Sequence, residues 1–383
     1  MINIRDEALN QLEQFGQNNL GLYGTERNFD YGPAKRTNIS NLSKYITHRI
    51  INEHEVIQSA YKKFSFKKIE KFIQEVLWRT YWKGWLEMRP QVWQDYIKDI
   101  SDLDAETKKI AYQNAVNGKT SISCFNDWIF ELKKYGYLHN HTRMWFASIW
   151  IFTLNLPWQL GADFFLKHLL DGDPASNTLS WRWVAGLHTK GKHYLATEWN
   201  INKFSFKKYE NLHLNEKAHS KTENTNYIVN TIKYDDIKQK KSLFLFHNLE
   251  SSLWNTTSVN ENYIYGLIDF NTILKNRNYS NQVLEFKDRI NKNLREKIKN
   301  KFNSDIYIQT TQELETIIKE KNIEQVIFPY ITVGHENDFI KKLIKDFSIV
   351  YQVKDYDKYC WQFSTKGYFA FKEQIPKILT KFL

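Results

Sequence analysis

Between His139 and Trp183 the chain sets Asn140, Arg143, Asp171, Asp173 and Asn177 into apolar, tryptophan-rich sequence. Charged and amide groups in such a background are costly unless a partner satisfies them, so these five are candidate ligand contacts. In DPASNTLSWRWV, Asp173, Asn177 and Trp181 follow at i, i+4 and i+8 and share one face of any helix formed there. The local alternative is that Asp171 or Asp173 caps this helix, with Pro174 in its first turn. In HNHTRM (139–144), Asn140, Arg143 and Met144 place an amide, a guanidinium and a thioether on one face. Arg143 suits a bidentate pair with Asp171, either beside a ligand or as a structural tie between two helices.

A second group lies upstream. In FIQEVLWRTYW, Glu75 precedes Trp78 by three residues and Arg79 by four, which groups a carboxylate, an indole and a guanidinium. A surface Glu–Arg pair is the plainer reading. RTNISNLSKYI (36–46) supplies Thr37, Asn38, Ser40, Asn41 and Ser43 ahead of a helical run, the residue types that hydrogen-bond phosphates at a helix start or simply cap it. His139 and His141 point to different faces of a helix and lack a third ligand, so no metal site is expected. There is no GxGxxG, GxxxxGK[ST] or GxSxG segment, and Cys124 and Cys360 are isolated. A dinucleotide fingerprint is thereby absent, and a Walker-type loop, a nucleophile elbow and a cysteine-ligated metal are unsupported.

These residues need elements to position them. From about residue 40 to 185 the apolar periodicity is helical, with runs such as 67–85 and 125–136. Between about 203 and 241 the composition turns to Lys, Asn, Glu, Ser and Thr and reads as a solvated connection. Beyond it, SLFLFH (242–247), YIYGLIDF (263–270), DIYIQT (305–310), QVIFPY (325–330) and IVYQV (349–353) read as strands, with helical segments at 286–302, 313–322 and 338–347. That alternation predicts a parallel sheet flanked by helices. The expected organisation is multidomain α plus α/β: a helical domain over 1–205, a linker over 206–241 and a Rossmann-like domain over 242–383.

The whole composition agrees with this division. At 383 residues the chain can bury two cores. Its net charge of +11 favours polyanionic partners, and 13 Trp within 16% aromatics favour flat ones. No signal-peptide core and no apolar run of membrane-spanning length is present, so a soluble, cytoplasmic protein, expected to be a monomer, is predicted.

Taken in order, HNHTRM, Trp158 and DGDPASNTLSWRW resemble the flavin-binding domain of the photolyase/cryptochrome family, whose hallmark is HN-x-x-RM followed by W and DGD-x-A-x-N-x-x-x-W-x-W. With RTNISNLSKYI and EVLWR, the likeness runs over roughly residues 5–205. It implies FAD as cofactor, with Thr37, Asn38, Ser40 and Ser43 on the pyrophosphate. Arg143 and Asp171 would pair beside the isoalloxazine ring, Asp173 would bond near its polar edge and Asn177 would face N5. Arg79 and Asn140 join the implied cofactor set. Glu75, Trp78, Asn140, Met144 and Trp183 match positions that contact a flipped pyrimidine dimer.

The implied activity is that of a deoxyribodipyrimidine photo-lyase, a carbon–carbon lyase acting on UV-damaged DNA, with Glu75 and Asn177 as catalytic residues. Trp181 and Trp158 match the inner and middle members of the family's photoreduction chain. Its distal Trp is missing near 101–111, where Trp93 or Trp145 would have to substitute. His141 replaces an Arg of the pattern, and Phe72 a Trp. The histidine pair used on 6-4 photoproducts is unmatched. The C-terminal half looks like the family's antenna domain in permuted order, and its chromophore is unreadable from these segments. Two alternatives stay open: a cryptochrome-like blue-light receptor, and a helical DNA-binding protein without cofactor.

Overall fold

The computed structural model describes residues 3–252, 257–343 and 347–383. The helical half is organised on one long helix, Phe66–Glu87. Its apolar residues Ile69, Phe72, Ile73, Val76, Leu77 and Tyr81 recur at helical spacing and are all buried. A length of 22 residues carries it about 33 Å, enough to cross the half from end to end.

Three further helices complete the wall that faces it. Asn140–Ser148 runs into a π-helical turn, Ile149–Thr153, of which Ile149, Trp150, Ile151 and Phe152 are buried. Trp158–His168 packs against Pro174–Ala185. Their close approach depends on Gly161, where a Cβ would fall 2.4 Å from the Trp181 ring and 2.9 Å from that of Trp150. Asp173 caps the second of these helices, accepting from the Ser176 N–H at 2.7 Å, and Pro174 occupies its first turn.

All five expected strands form: β1 (Ser242–Phe246), β2 (Tyr263–Ile268), β3 (Ile306–Ile308), β4 (Gln325–Pro329) and β5 (Ile349–Gln352). They make one parallel sheet in the order β3-β2-β1-β4-β5. Side chains alternate along β1, so Phe244 and Phe246 join the large core shared with the helical half, while Leu243 and Leu245 join a second cluster on the other face. The helix expected at 338–347 runs as His335–Leu343; residues 344–346 lie outside those described. The polar connection between the halves follows the helical surface in extended coil, where Lys221 donates to the Ala185 carbonyl, Asn230 to that of Met88, and Glu223 pairs with Arg182.

Residues 355–382, read from composition with the sheet, form three helices after β5. The first two, Asp355–Trp361 and Tyr368–Lys372, pack on the Phe66–Glu87 helix. Gly84 admits them: a Cβ there would meet Ser364 Oγ at 2.7 Å and the Trp361 backbone at 2.9 Å.

Candidate functional site

One face of the Phe66–Glu87 helix presents Glu75, Arg79 and Lys83 at successive turns. Each meets a different segment. Arg79 donates to the Thr47 hydroxyl at 2.6 Å, and that hydroxyl donates to the Asp171 carbonyl oxygen at 3.3 Å. Lys83 is buried and stands 3.4 Å from Asp173. The helix thus fixes the Ser43–Thr47 helix and the 171–173 loop relative to each other.

Arg143 and Asp171 form the pair that their types suggest: Nη2 donates to both carboxylate oxygens, at 3.0 and 2.9 Å. Burial alone would raise the Asp171 carboxyl, but Arg143, Arg79 and the Ser43 hydroxyl outweigh it and hold the group below the ordinary carboxylate range. Asp173 follows the same logic, with burial opposed by Lys83, Arg79 and the Ser176 N–H. It is both a cap and half of an ion pair. Asn177, one turn on, is buried and donates Nδ2 to the Ala162 carbonyl at 2.7 Å.

Beside this array lies a cavity of about 310 Å³, lined by residues 39–43 together with Tyr23, Arg27, Glu75, Tyr137, Asn140 and Met144, among others. Arg143 stacks on Tyr137 at 4.9 Å, so the Arg143–Asp171 pair sits directly behind the cavity wall. Glu75 remains accessible through the open cavity, yet the protein packed around it pushes its carboxyl above the ordinary value, against the pull of Arg27 and Lys71.

The structure brings Ser40, Ser43, Glu75, Asn140 and Met144 onto one cavity, with Arg79, Arg143, Asp171 and Asp173 behind it. Other expected site residues stand elsewhere. Thr37 is exposed, and Asn38 is buried with its amide donating to the carbonyls of Glu26 and Phe29, so the wall begins at residue 39. Trp78 is stacked on Tyr368, with ring centroids 3.4 Å apart and planes 11° from parallel. Trp183 stacks on Tyr194 at 5.9 Å, away from the cavity.

Trp181 meets Trp150 edge-on at 6.2 Å, and Trp158 stacks on Tyr96, which in turn touches Trp93. Trp145 instead stacks on Trp128 and His141. His139 spends Nδ1 on the His141 N–H, and His141 turns its own Nδ1 to the Asn28 carbonyl. Among the described residues, no group of three or more His, Cys, Asp or Glu could hold a metal, and no helix is long and apolar enough to cross a membrane.

Sequence reasoning missed Tyr23, Arg27, Tyr137 and Lys83. Lys83 was within reach, one turn beyond Arg79 on the face already carrying Glu75. The others come from separate segments that only the fold assembles.

Residues 72–239 match the family described as the FAD binding domain of DNA photolyase. The deoxyribodipyrimidine photo-lyase of Neurospora crassa is 29% identical over 190 residues, covering 47% of this chain and 30% of that protein. The enzyme of the same description from Streptomyces griseus is 30% identical over 152 residues, covering 39% of this chain and 32% of that protein. A solved bacterial class III photolyase from Agrobacterium tumefaciens aligns with TM-score 0.44 and 27% identity over 52% of this chain and 42% of that one. The chain spans about a third of the length of the curated relatives named here.

The site's own chemistry fits a flavin that carries a pyrophosphate. Ser40 and Ser43 stand on the wall, and Arg79, Arg143 and Lys83 supply positive charge beside the two buried carboxylates. The matched stretch includes Glu75, Arg79, Asn140, Arg143, Asp171, Asp173 and Asn177, so the helical half carries a FAD-binding domain of the photolyase/cryptochrome type, with FAD as the cofactor of that domain.

Proposed function

We propose that this chain is a light-dependent repair enzyme that splits cyclobutane pyrimidine dimers in UV-damaged DNA. The observation that carries this reading is the convergence of Glu75, Asn140 and Met144 on the cavity walled by residues 39–43. FAD, when bound and reduced, supplies the photoexcited electron that enters the dimer and returns once the two carbon–carbon bonds of its cyclobutane ring have broken. The chain's residues bind, orient and exclude water. Ser40 would offer its hydroxyl to the phosphates, Ser43 turns its own to Asp171, and Arg143 and Asp171 stiffen the wall behind Tyr137. Asn177 is held at the Trp158–His168 helix by its bond to Ala162, which fixes the side chain's orientation. On the substrate side, Glu75 presents a carboxyl to a base edge, while Asn140 and Met144 supply an amide and an apolar contact to an extruded lesion.

The test is dimer loss from a lesion-containing oligonucleotide, measured with reduced holoprotein under blue light and in darkness. Equal loss in both conditions would sink the proposal. One observation favours a second reading, a blue-light receptor that signals through a partner: Tyr368 covers the ring of Trp78, a position that the resemblance gives to the lesion. A light-induced conformational change without dimer loss is the result that would select it.

A further inference from the structure

Open α/β sheets bind ligands outside the carboxyl ends of their strands, where the strand order reverses. Here the order β3-β2-β1-β4-β5 reverses between β1 and β4. The loop that follows β1 is already engaged by the chain itself. Ser251 donates its N–H to the His48 carbonyl at 3.1 Å, and His48 Nδ1 lies 2.9 Å from the Asn248 carbonyl.

Next to it, Arg49 is buried and gives one guanidinium N–H to each oxygen of Asp357, both at 2.7 Å. It also reaches Glu250 at 3.2 Å and Glu53 at 3.6 Å, and Lys354 meets Glu250 from the far side at 2.7 Å. Arg49 holds φ at +49°, the left-handed region that a side chain other than glycine enters only when its surroundings enforce it.

Two residues earlier, Thr47 ties Arg79 to the Asp171 carbonyl, and four residues before that Ser43 stands on the cavity wall. The intervening Ser43–Thr47 helix has five residues, too few to hold its shape alone. Its two ends are fixed by the cavity on one side and by Arg49 on the other.

We propose that Arg49 is a positioning residue for the FAD pocket: by locking onto Asp357, Glu250 and Glu53 it sets the register of the 43–47 helix. The α/β half then serves as a clamp on the cofactor wall, with the loop after β1 taken by His48 and Arg49 in place of a ligand. This rests on FAD binding, so a parent protein that fails to bind FAD removes that reading and not the clamp specifically.

The experiment measures FAD affinity of the apoprotein by flavin fluorescence, under conditions where far-UV circular dichroism shows each variant folded. Arg49→Ala should weaken FAD by about tenfold, although the side chain lines no part of the cavity. Arg49→Lys, which keeps the charge, should recover part of that loss. Thr47→Val should also weaken FAD, and the double variant should fall well short of the product of the two single effects, because both act through one short helix.

A folded Arg49→Ala with less than about a threefold change, or effects of Arg49→Ala and Thr47→Val that multiply, would overturn the proposal. If Arg49→Ala does not fold, Asp357→Asn is the substitute, since it removes the partner charge at nearly constant volume. The same threefold boundary, about 0.7 kcal/mol, decides it.

Discussion

Arg143 and Asp171 show how much a residue's type and spacing disclose. A guanidinium and a carboxylate in apolar helical sequence have few affordable fates, and an ion pair in which one guanidinium nitrogen serves both carboxylate oxygens is the one found. Arg143→Ala leaves Asp171 buried with Arg79 and Ser43 as its remaining support, and should cost about 3 kcal/mol in a denaturant titration, together with loss of bound flavin. The carboxyls of Asp171 and Asp173 are both depressed in the folded state. Their contribution is therefore present above the unfolded carboxylate value and lost as pH falls through the lower folded one, so flavin release should set in only on acidification below the ordinary carboxylate range. Glu75 runs the other way. Its raised carboxyl favours the fold at low pH and loses that benefit as pH rises, so Glu75→Gln should flatten the stability profile in acid, spare the flavin spectrum and reduce dimer splitting. An unchanged repair rate in that variant would remove Glu75 from the substrate wall. The phosphate segment was less legible. Hydroxyl and amide residues recur through 37–43, and composition cannot distinguish Asn38, spent on the carbonyls of Glu26 and Phe29, from Ser40 and Ser43 on the cavity.

At the scale of elements, the strands were readable because each is a short apolar run bounded by polar turns, and a sheet covered on both faces, with β1 buried throughout, follows directly. The helical face bearing Glu75 and Arg79 was readable for the same reason at its own period. The contacts of Trp78 were not, since its stacking partner Tyr368 lies almost 300 residues away and belongs to a short helix seated beside Gly84. Tyr368 is buried and donates its hydroxyl to the Gln74 carbonyl at 2.8 Å, which makes it a fixed wall on the long helix. Tyr368→Ala should destabilise the protein by about 3 kcal/mol and expose one face of Trp78. Stronger acrylamide quenching of tryptophan emission in the folded variant, absent from Trp78→Phe/Tyr368→Ala, is the expected sign. If the loss of Tyr368 also tightens binding of dimer-containing DNA, the stack competes with the lesion for Trp78.

For the molecule as a whole, the junction of the two halves carries a titratable group that no local pattern marks. Glu87 ends the long helix and accepts the Tyr330 hydroxyl at 2.7 Å and the Val333 N–H at 2.6 Å, both from the loop after β4. Burial raises its carboxyl to about 7, against the pull of those two bonds, Lys341 and Lys83. A folded-state value above the unfolded one means that the protonated form is the one the junction prefers. Its benefit is complete below the ordinary carboxylate value and is lost as pH rises through about 7. The full swing corresponds to roughly 3 kcal/mol at about 1.4 kcal/mol per unit. Stability should therefore decline between about pH 5 and 8 in the parent protein, and Glu87→Gln, which keeps an acceptor for Tyr330 without the charge, should remove most of that slope. Val333 faces the other Glu87 oxygen, so the variant also reports on the geometry: if glutamine turns its amide NH₂ toward the Val333 N–H, stability at pH 5 drops below the parent while the slope still flattens. A parent whose denaturant midpoint is the same at both ends of this range would show that Glu87 ionises in the folded junction at no cost, and that the two halves separate enough to hydrate it.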